Sequence, residues 1–179
     1  MLNDIQQILF SKEQIAERIK ELGKTLSEDY AGKDPIFVCI LKGSSLFFAD
    51  LVREITAQIY FDFMSISSYG DEFISSGQVK LMKDLDTPIE NRHVVIVEDI
   101  VDTGTTLSYL VKNLEARSPA SVKICTLLDK ECHRKTDITP DYCGFKVGDH
   151  FVVGYGLDFE GGYRHLPFIG IMKPEAYNK

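Results

Sequence analysis

The chain has 179 residues, 44% of them hydrophobic, which is enough for one domain with a full core. Its net charge of −7 and pI near 5.1 argue against general binding to nucleic acid or to an anionic membrane. No apolar run approaches the roughly 20 residues of a membrane helix, and the start Met1-Leu2-Asn3-Asp4 lacks the basic and apolar regions of a signal peptide. Cys39, Cys125, Cys132 and Cys143 form no CxxC pair, and the first two lie in apolar runs, so a reduced cytoplasmic protein without disulfides is expected.

Ser11-Lys12-Glu13-Gln14 has the spacing of a capping box, and Ile15, Ile19, Leu22 and Leu26 continue it as the apolar stripe of a helix lying on a sheet. Gly32-Lys33-Asp34-Pro35 breaks the chain. Residues 36–41 are continuously apolar and read as a buried strand. The strand runs into Lys42-Gly43-Ser44-Ser45, a possible anion site that is weak alone because many strand-to-helix turns look alike. Phe47, Phe48, Leu51, Val52 and Ile55 then mark a second helix. Residues 59–66 alternate as a strand with Ile59, Phe61 and Phe63 on one face. The small, polar stretch 67–77 reads either as an exposed hairpin loop or as a lid over a ligand, with 79–82 as the return strand.

Residues 93–107 carry the chemistry. The β-branched run 94–97 predicts a buried strand with Glu98 and Asp99 at its end. Asp102-Thr103-Gly104-Thr105-Thr106 is an acidic, hydroxyl-rich turn, and Leu107, Leu110, Val111 and Leu114 recur at helical spacing after it. The first N–H groups of a helix have no intrahelical partner and carry the positive end of its dipole, so this turn can cradle a phosphate. The Gly-Lys-Ser/Thr ending of a Walker loop is absent. Carboxylates beside a phosphate repel it unless they hold sugar hydroxyls or a metal ion. A ligand with a phosphate at one end and a ribose diol at the other satisfies both sets of groups.

Residues 122–128 are the next core strand, with Lys130 just beyond it. Strand and helix thus alternate from 36 to 128. The expected fold is α/β, a parallel-dominated twisted sheet flanked by helices, with ligands at the carboxyl ends of the strands. The tail has only short β-like pieces at 142–145, 151–156 and 168–171, which predict a small hood over the crevice built from residues 129–179, within a single domain spanning 1–179. Asp158 sits among apolar neighbours and needs a partner. Arg134 and His133 read as solvated loop residues, and His93 and His165 as structural.

The run Val97-Glu98-Asp99-Ile100-Val101-Asp102-Thr103-Gly104-Thr105-Thr106 resembles the phosphoribosyl-diphosphate-binding motif of the type I phosphoribosyltransferases, and its wording is most similar to the hypoxanthine-guanine branch. The likeness extends from about Ile36 to Ile171. It implies transfer of a 5-phosphoribosyl group from 5-phosphoribosyl diphosphate to a 6-oxopurine, with Mg²⁺, in a homodimer or homotetramer. Under it Lys42 and Gly43 contact the pyrophosphate with Arg164. Glu98 and Asp99 hold the ribose hydroxyls and, with Asp158, the metal. Thr103, Gly104, Thr105 and Thr106 hold the 5′-phosphate, and Asp102 is the general base. Ser68 and Tyr69 become the tip of a lid. Lys130 reads the exocyclic oxygen of the purine, Phe151 stacks on the base, and Val152 offers backbone groups to its edge. His150 stands where the family often has lysine, so the choice among hypoxanthine, guanine and xanthine stays open. A regulatory protein sensing the same donor, or a transferase for another nucleobase, are the rival readings.

Overall fold

The computed structural model of the chain describes residues 2–68 and 79–177, with the backbone alone at 67, 68 and 79. Strand β1 (Ile5–Phe10) leads into helix α1 (Lys12–Asp29). Ser11 caps that helix as the sequence predicts. Its hydroxyl accepts the Gln14 N–H at 3.3 Å, and the Gln14 side chain accepts the Ser11 N–H at 2.9 Å, so both donors are satisfied. The stripe Ile15, Ile19, Leu22 and Leu26 is fully buried.

Strand β2 (Ile36–Leu41), helix α2 (Ser45–Glu54), strands β3 (Tyr60–Ser68), β4 (Val79–Lys83) and β5 (His93–Val101), helix α3 (Thr105–Glu115), and strands β6 (Ser121–Asp129) and β7 (Tyr142–Lys146) follow in order. They make a six-stranded sheet in the order β4-β3-β2-β5-β6-β7, parallel except for the β3–β4 hairpin. Alternate strand residues face opposite sides of a sheet. Phe37, Cys39, Val95 and Val97 pack with α1 and α2, while Ile36, Val38, Val94 and Ile96 pack with Leu107, Leu110 and Leu114 of α3. The continuous apolar runs are therefore explained by burial on both faces.

The structure adds one strand to those predicted and moves another. The N-terminal strand β1 was not legible: it pairs antiparallel with β9 (Ile169–Met172), which also pairs with β8 (Val152–Val153), to form the three-stranded hood. The piece at 142–145 belongs to the main sheet and not to the hood. Gly144 there lies so close to Leu127 that a Cβ would come within 2.4 Å of its carbonyl oxygen, and Arg18 of α1 donates to the Gly144 and Cys143 carbonyls at 2.8 Å. On β3 Phe61 and Phe63 share a face, as the alternation predicts, and both rings meet Phe48, Phe61 edge-on and Phe63 at a tilt, while Asp62 and Met64 on the other face are the more deeply buried.

The ladder between β2 and β5 ends at Cys39 and Val97, while β5 and β6 stay paired as far as Val101 and Asp129. The chain builds the sheet outward in both directions from this β2–β5 pair, which makes it the topological switch point where a crevice opens. Among the described residues no helix is long and apolar enough to cross a membrane.

Asp62 is only 4% exposed and accepts N–H donors from Phe63, Asp86 and Thr87 at 2.7, 2.8 and 3.0 Å, with Lys83 at 3.6 Å. Burial raises its carboxyl, but these donors and the lysine outweigh it and leave it below the ordinary value. Asp62→Ala should cost about 2–3 kcal/mol in urea unfolding at neutral pH. A depressed carboxyl stabilises above the unfolded value of about 3.9 and loses that contribution as pH falls through the folded one, so the deficit of the variant should shrink on acidification below about pH 4.

Candidate active site

The split between β2 and β5 holds a crevice of about 370 Å³, lined by Gly43 from the turn after β2, Glu98 and Asp99 from β5, Asp102, Thr103, Gly104 and Thr106 from the turn before α3, and Asp158 and Arg164 from the hood. Beside it lies a compartment of about 270 Å³ lined by Lys130, His150, Phe151, Val152 and Leu157. Asp99, Ile100, Asp102 and Asp158 line both spaces, so the two share one wall of carboxylates. The structure thus brings together nearly every residue singled out from the sequence. Thr105 is exposed and absent from the crevice wall, where the turn before α3 presents Thr103 and the first turn of the helix presents Thr106. Lys42 is exposed at the rim, between the wall residues Leu41 and Gly43. Ser68 ends β3 with its side chain outside the described residues, and Tyr69 lies outside them altogether.

The acidic pair is not beyond the strand but inside it, since β5 continues to Val101. Asp99 accepts the Ile100 N–H at 2.7 Å. Burial pushes its carboxyl up to about 6, against the pull of that N–H and of Arg164, while Asp158 adds to the rise. Glu98 is raised well above the ordinary range, first by burial and then by the charge of Asp99. Asp158 finds its partner in Arg164, at 2.6 Å, and also accepts the Gly161 N–H at 2.8 Å. Glu98, Asp99 and Asp158 line the crevice with oxygen donors, the ligand type that a hard divalent cation such as Mg²⁺ takes.

Glycines set the close approaches. A Cβ on Gly43 would lie 1.6 Å from an Asp99 carboxylate oxygen, and one on Gly156 would lie 2.0 Å from the Gly43 carbonyl. The hood loop, the turn after β2 and the Asp99 carboxylate are therefore in direct succession. The Leu41–Lys42 peptide in that turn is cis. Gly104 takes φ of +77° as the N-cap of α3 and has no side chain to cap the helix; the Thr105 N–H reaches the Thr103 hydroxyl at 3.4 Å, and a helix start of this kind can meet an anion.

Of the two residues that the sequence suggested were solvated, His133 is exposed and Arg134 is not. Arg134 is 14% exposed and ion-paired with Asp129, which is 3% exposed. It donates to the carbonyls of Asp102 at 2.9 Å, of Val101 at 3.2 Å and of Ile138, so it clamps the turn that carries Asp102. His133 stands 3.3 Å from the Asp102 carboxylate. Position in sequence gave no signal for either, because a short 3₁₀ turn at Glu131–His133 folds back onto the end of β5. His93, by contrast, has the expected structural role, bonding Ser121 at 2.8 Å.

Lys130 is 8% exposed, donates to the His150 carbonyl at 3.1 Å and pairs with Asp149 at 3.3 Å. Phe151 stacks on Tyr177 with centroids 4.7 Å apart. Replacing Gly43 by alanine must displace the Asp99 carboxylate, so Gly43→Ala should lower turnover by about 10²-fold or more while the protein stays folded, as checked by steady-state kinetics beside circular dichroism.

The Phosphoribosyl transferase domain family matches residues 6–160. The chain is 51% identical to a hypoxanthine-guanine phosphoribosyltransferase of Streptococcus thermophilus, over 98% of both chains. It is 50% identical to one of Bacillus subtilis, over 99% of this chain and 98% of the other. The crystal structure of a hypoxanthine phosphoribosyltransferase from Staphylococcus aureus superposes with a TM-score of 0.96 at 47% identity, covering 100% of this chain and 97% of that one. With the fold, the crevice and the motif in agreement, the chain belongs to the phosphoribosyltransferase family, in its hypoxanthine-guanine branch.

Proposed function

We propose that this protein is a purine-salvage enzyme that transfers the 5-phosphoribosyl group from 5-phosphoribosyl diphosphate to hypoxanthine, and to guanine, releasing IMP or GMP and pyrophosphate. The observation that carries this reading is the shared carboxylate wall between two compartments. A phosphorylated sugar fits the one with the open helix terminus, and a planar base fits the one with Lys130 and Phe151. Asp102 lies where they meet.

In this reading Thr103, Gly104 and Thr106 hold the 5′-phosphate against the first turn of α3, with Thr105 at its outer edge. Glu98 and Asp99 hold the ribose hydroxyls. Glu98, Asp99 and Asp158 would hold Mg²⁺, which supplies positive charge for the departing pyrophosphate. Arg164 and Lys42, with the Gly43 backbone, face that pyrophosphate; Arg164 must exchange its contact with Asp158 to do so. The purine N9 forms the new bond to the ribose C1 as the bond to pyrophosphate breaks, and Asp102 takes the proton from N7 as general base. Lys130 donates to the exocyclic oxygen, which favours an oxopurine over adenine because an amino group there would face an ammonium. The base stacks on the face of Phe151 opposite Tyr177, and Val152 and His150 border its edge. Residues 1–179 act as one domain, hood included, in a cytoplasmic homodimer or homotetramer.

Incubation of the protein with donor, Mg²⁺ and each nucleobase in turn should give nucleotide with hypoxanthine and guanine, and little with adenine or a pyrimidine. Asp102→Asn should lower the rate by about 10²–10⁴-fold, and Lys130→Ala should reduce the discrimination against adenine. Absence of turnover with every base would leave a donor-sensing role as the better account.

A further inference from the structure

The imidazole of His133 lies between two carboxylates. Its Nδ1 is 3.3 Å from Asp102 Oδ1, and its Nε2 is 3.2 Å from Asp149 Oδ1. The same Asp149 oxygen is 3.3 Å from Lys130 Nζ. Four side chains therefore form a line of alternating function, Asp102, His133, Asp149 and Lys130, that joins one proposed base contact to the other. Asp102 Oδ1 is buried and has no hydrogen bond among the described residues, so the nearby imidazole is a donor for an atom that needs one.

We propose that His133 is a positioning residue for Asp102, fixing one carboxylate oxygen so that the other faces the purine, and that Asp149 holds His133 in register with Lys130. The inference rests on the reading of Asp102 as the general base. A purine presents N7 and its exocyclic oxygen on one edge. Asp102 and Lys130 must address that edge together, and the bridge through His133 and Asp149 sets their spacing. A neutral imidazole has one N–H and one lone pair, so only the doubly protonated ring donates to both carboxylates. The Lys130 ammonium, with His133 behind it, holds the Asp149 carboxyl below its ordinary value, which keeps that member of the line negative.

The contact to Asp102 is at ion-pair distance without hydrogen-bond alignment, and catalytic contacts of this kind tighten when the substrate loads. The Cys132 thiol also lies within reach of His133 and Asp149, as a shared cation would require. Asp149 already carries the Lys130 ammonium, which opposes a second positive charge there. His133 and Asp102 are each 44% exposed, so the pair adds little to stability and its value is positional.

The test is the single-turnover rate of nucleotide formation from saturating donor, Mg²⁺ and hypoxanthine in the parent, His133→Ala and His133→Arg. His133→Ala should slow the chemical step by about tenfold or more, with the donor KM within about twofold and the melting temperature unchanged. Arginine offers fixed N–H donors to both carboxylates, so His133→Arg should recover to within about threefold of the parent. An alanine variant as fast as the parent overturns the inference while leaving the transferase reading intact. So do alanine and arginine variants that are equally slow and equally destabilised, because the role would then be structural. A parent with no turnover would remove the function and this inference with it.

Discussion

The Arg134 guanidinium is the contact on which the site depends. One side chain neutralises the buried Asp129 at the end of β6 and donates to the backbone carbonyls of Val101 and Asp102 at the end of β5. A planar fork with fixed donors can hold three acceptors in one plane, which an ammonium on a flexible stem cannot. Removing one member of a buried pair leaves an unpaired charge and costs about 3–5 kcal/mol. Here the cost would fall on the turn that presents Asp102, Thr103 and Gly104. Gly104 shows how tightly the clamp fits, since a Cβ there would meet the Arg134 side chain at 2.9 Å and Thr136 at 2.4 Å.

The sheet supplies the other constraint. Its strands part between β2 and β5 just where Glu98 and Asp99 begin, so the acidic pair emerges from a ladder into a cleft. Held by burial, both carboxyls rise; the charge of Asp99 adds to the rise of Glu98, while Arg164 moderates and the hood's Asp158 adds to that of Asp99. The hood reaches this place because Gly156 allows its backbone onto the Gly43 carbonyl and because the Tyr155 hydroxyl donates to Asp50 on α2. Site geometry thus comes from strand ends, one turn of helix and backbone contacts, with few side chains spent on the scaffold.

Much of this was legible in the sequence. The runs 36–41, 94–97 and 124–128 are buried on both faces but for the half-buried Leu41, so they announce a parallel sheet, and the capping box at Ser11 is local chemistry that no distant contact overrides. The carboxylates and threonines of 98–106 sit together in the chain, so their meeting in space needed no tertiary information. What was not legible depends on contacts distant in sequence. β1 alternates weakly and becomes a strand only because β9, more than 150 residues later, offers its edge. The strand at 142–146 looked like hood because its membership in the main sheet is decided by Arg18 and the Leu127 backbone. Arg134 and His133 carry no local pattern, and only the fold of the turn after β6 aims them at Asp102.

The central claim is that the forked Arg134 contact, and not charge alone, sets the Asp102 turn. Arg134→Lys keeps the charge beside Asp129 and loses the fork, so the measurement is its single-turnover rate of nucleotide formation, read with the donor Kd. A fall of about 10²-fold in rate with weakened donor binding is the predicted result. A rate and a donor Kd both within about twofold of the parent would contradict the account.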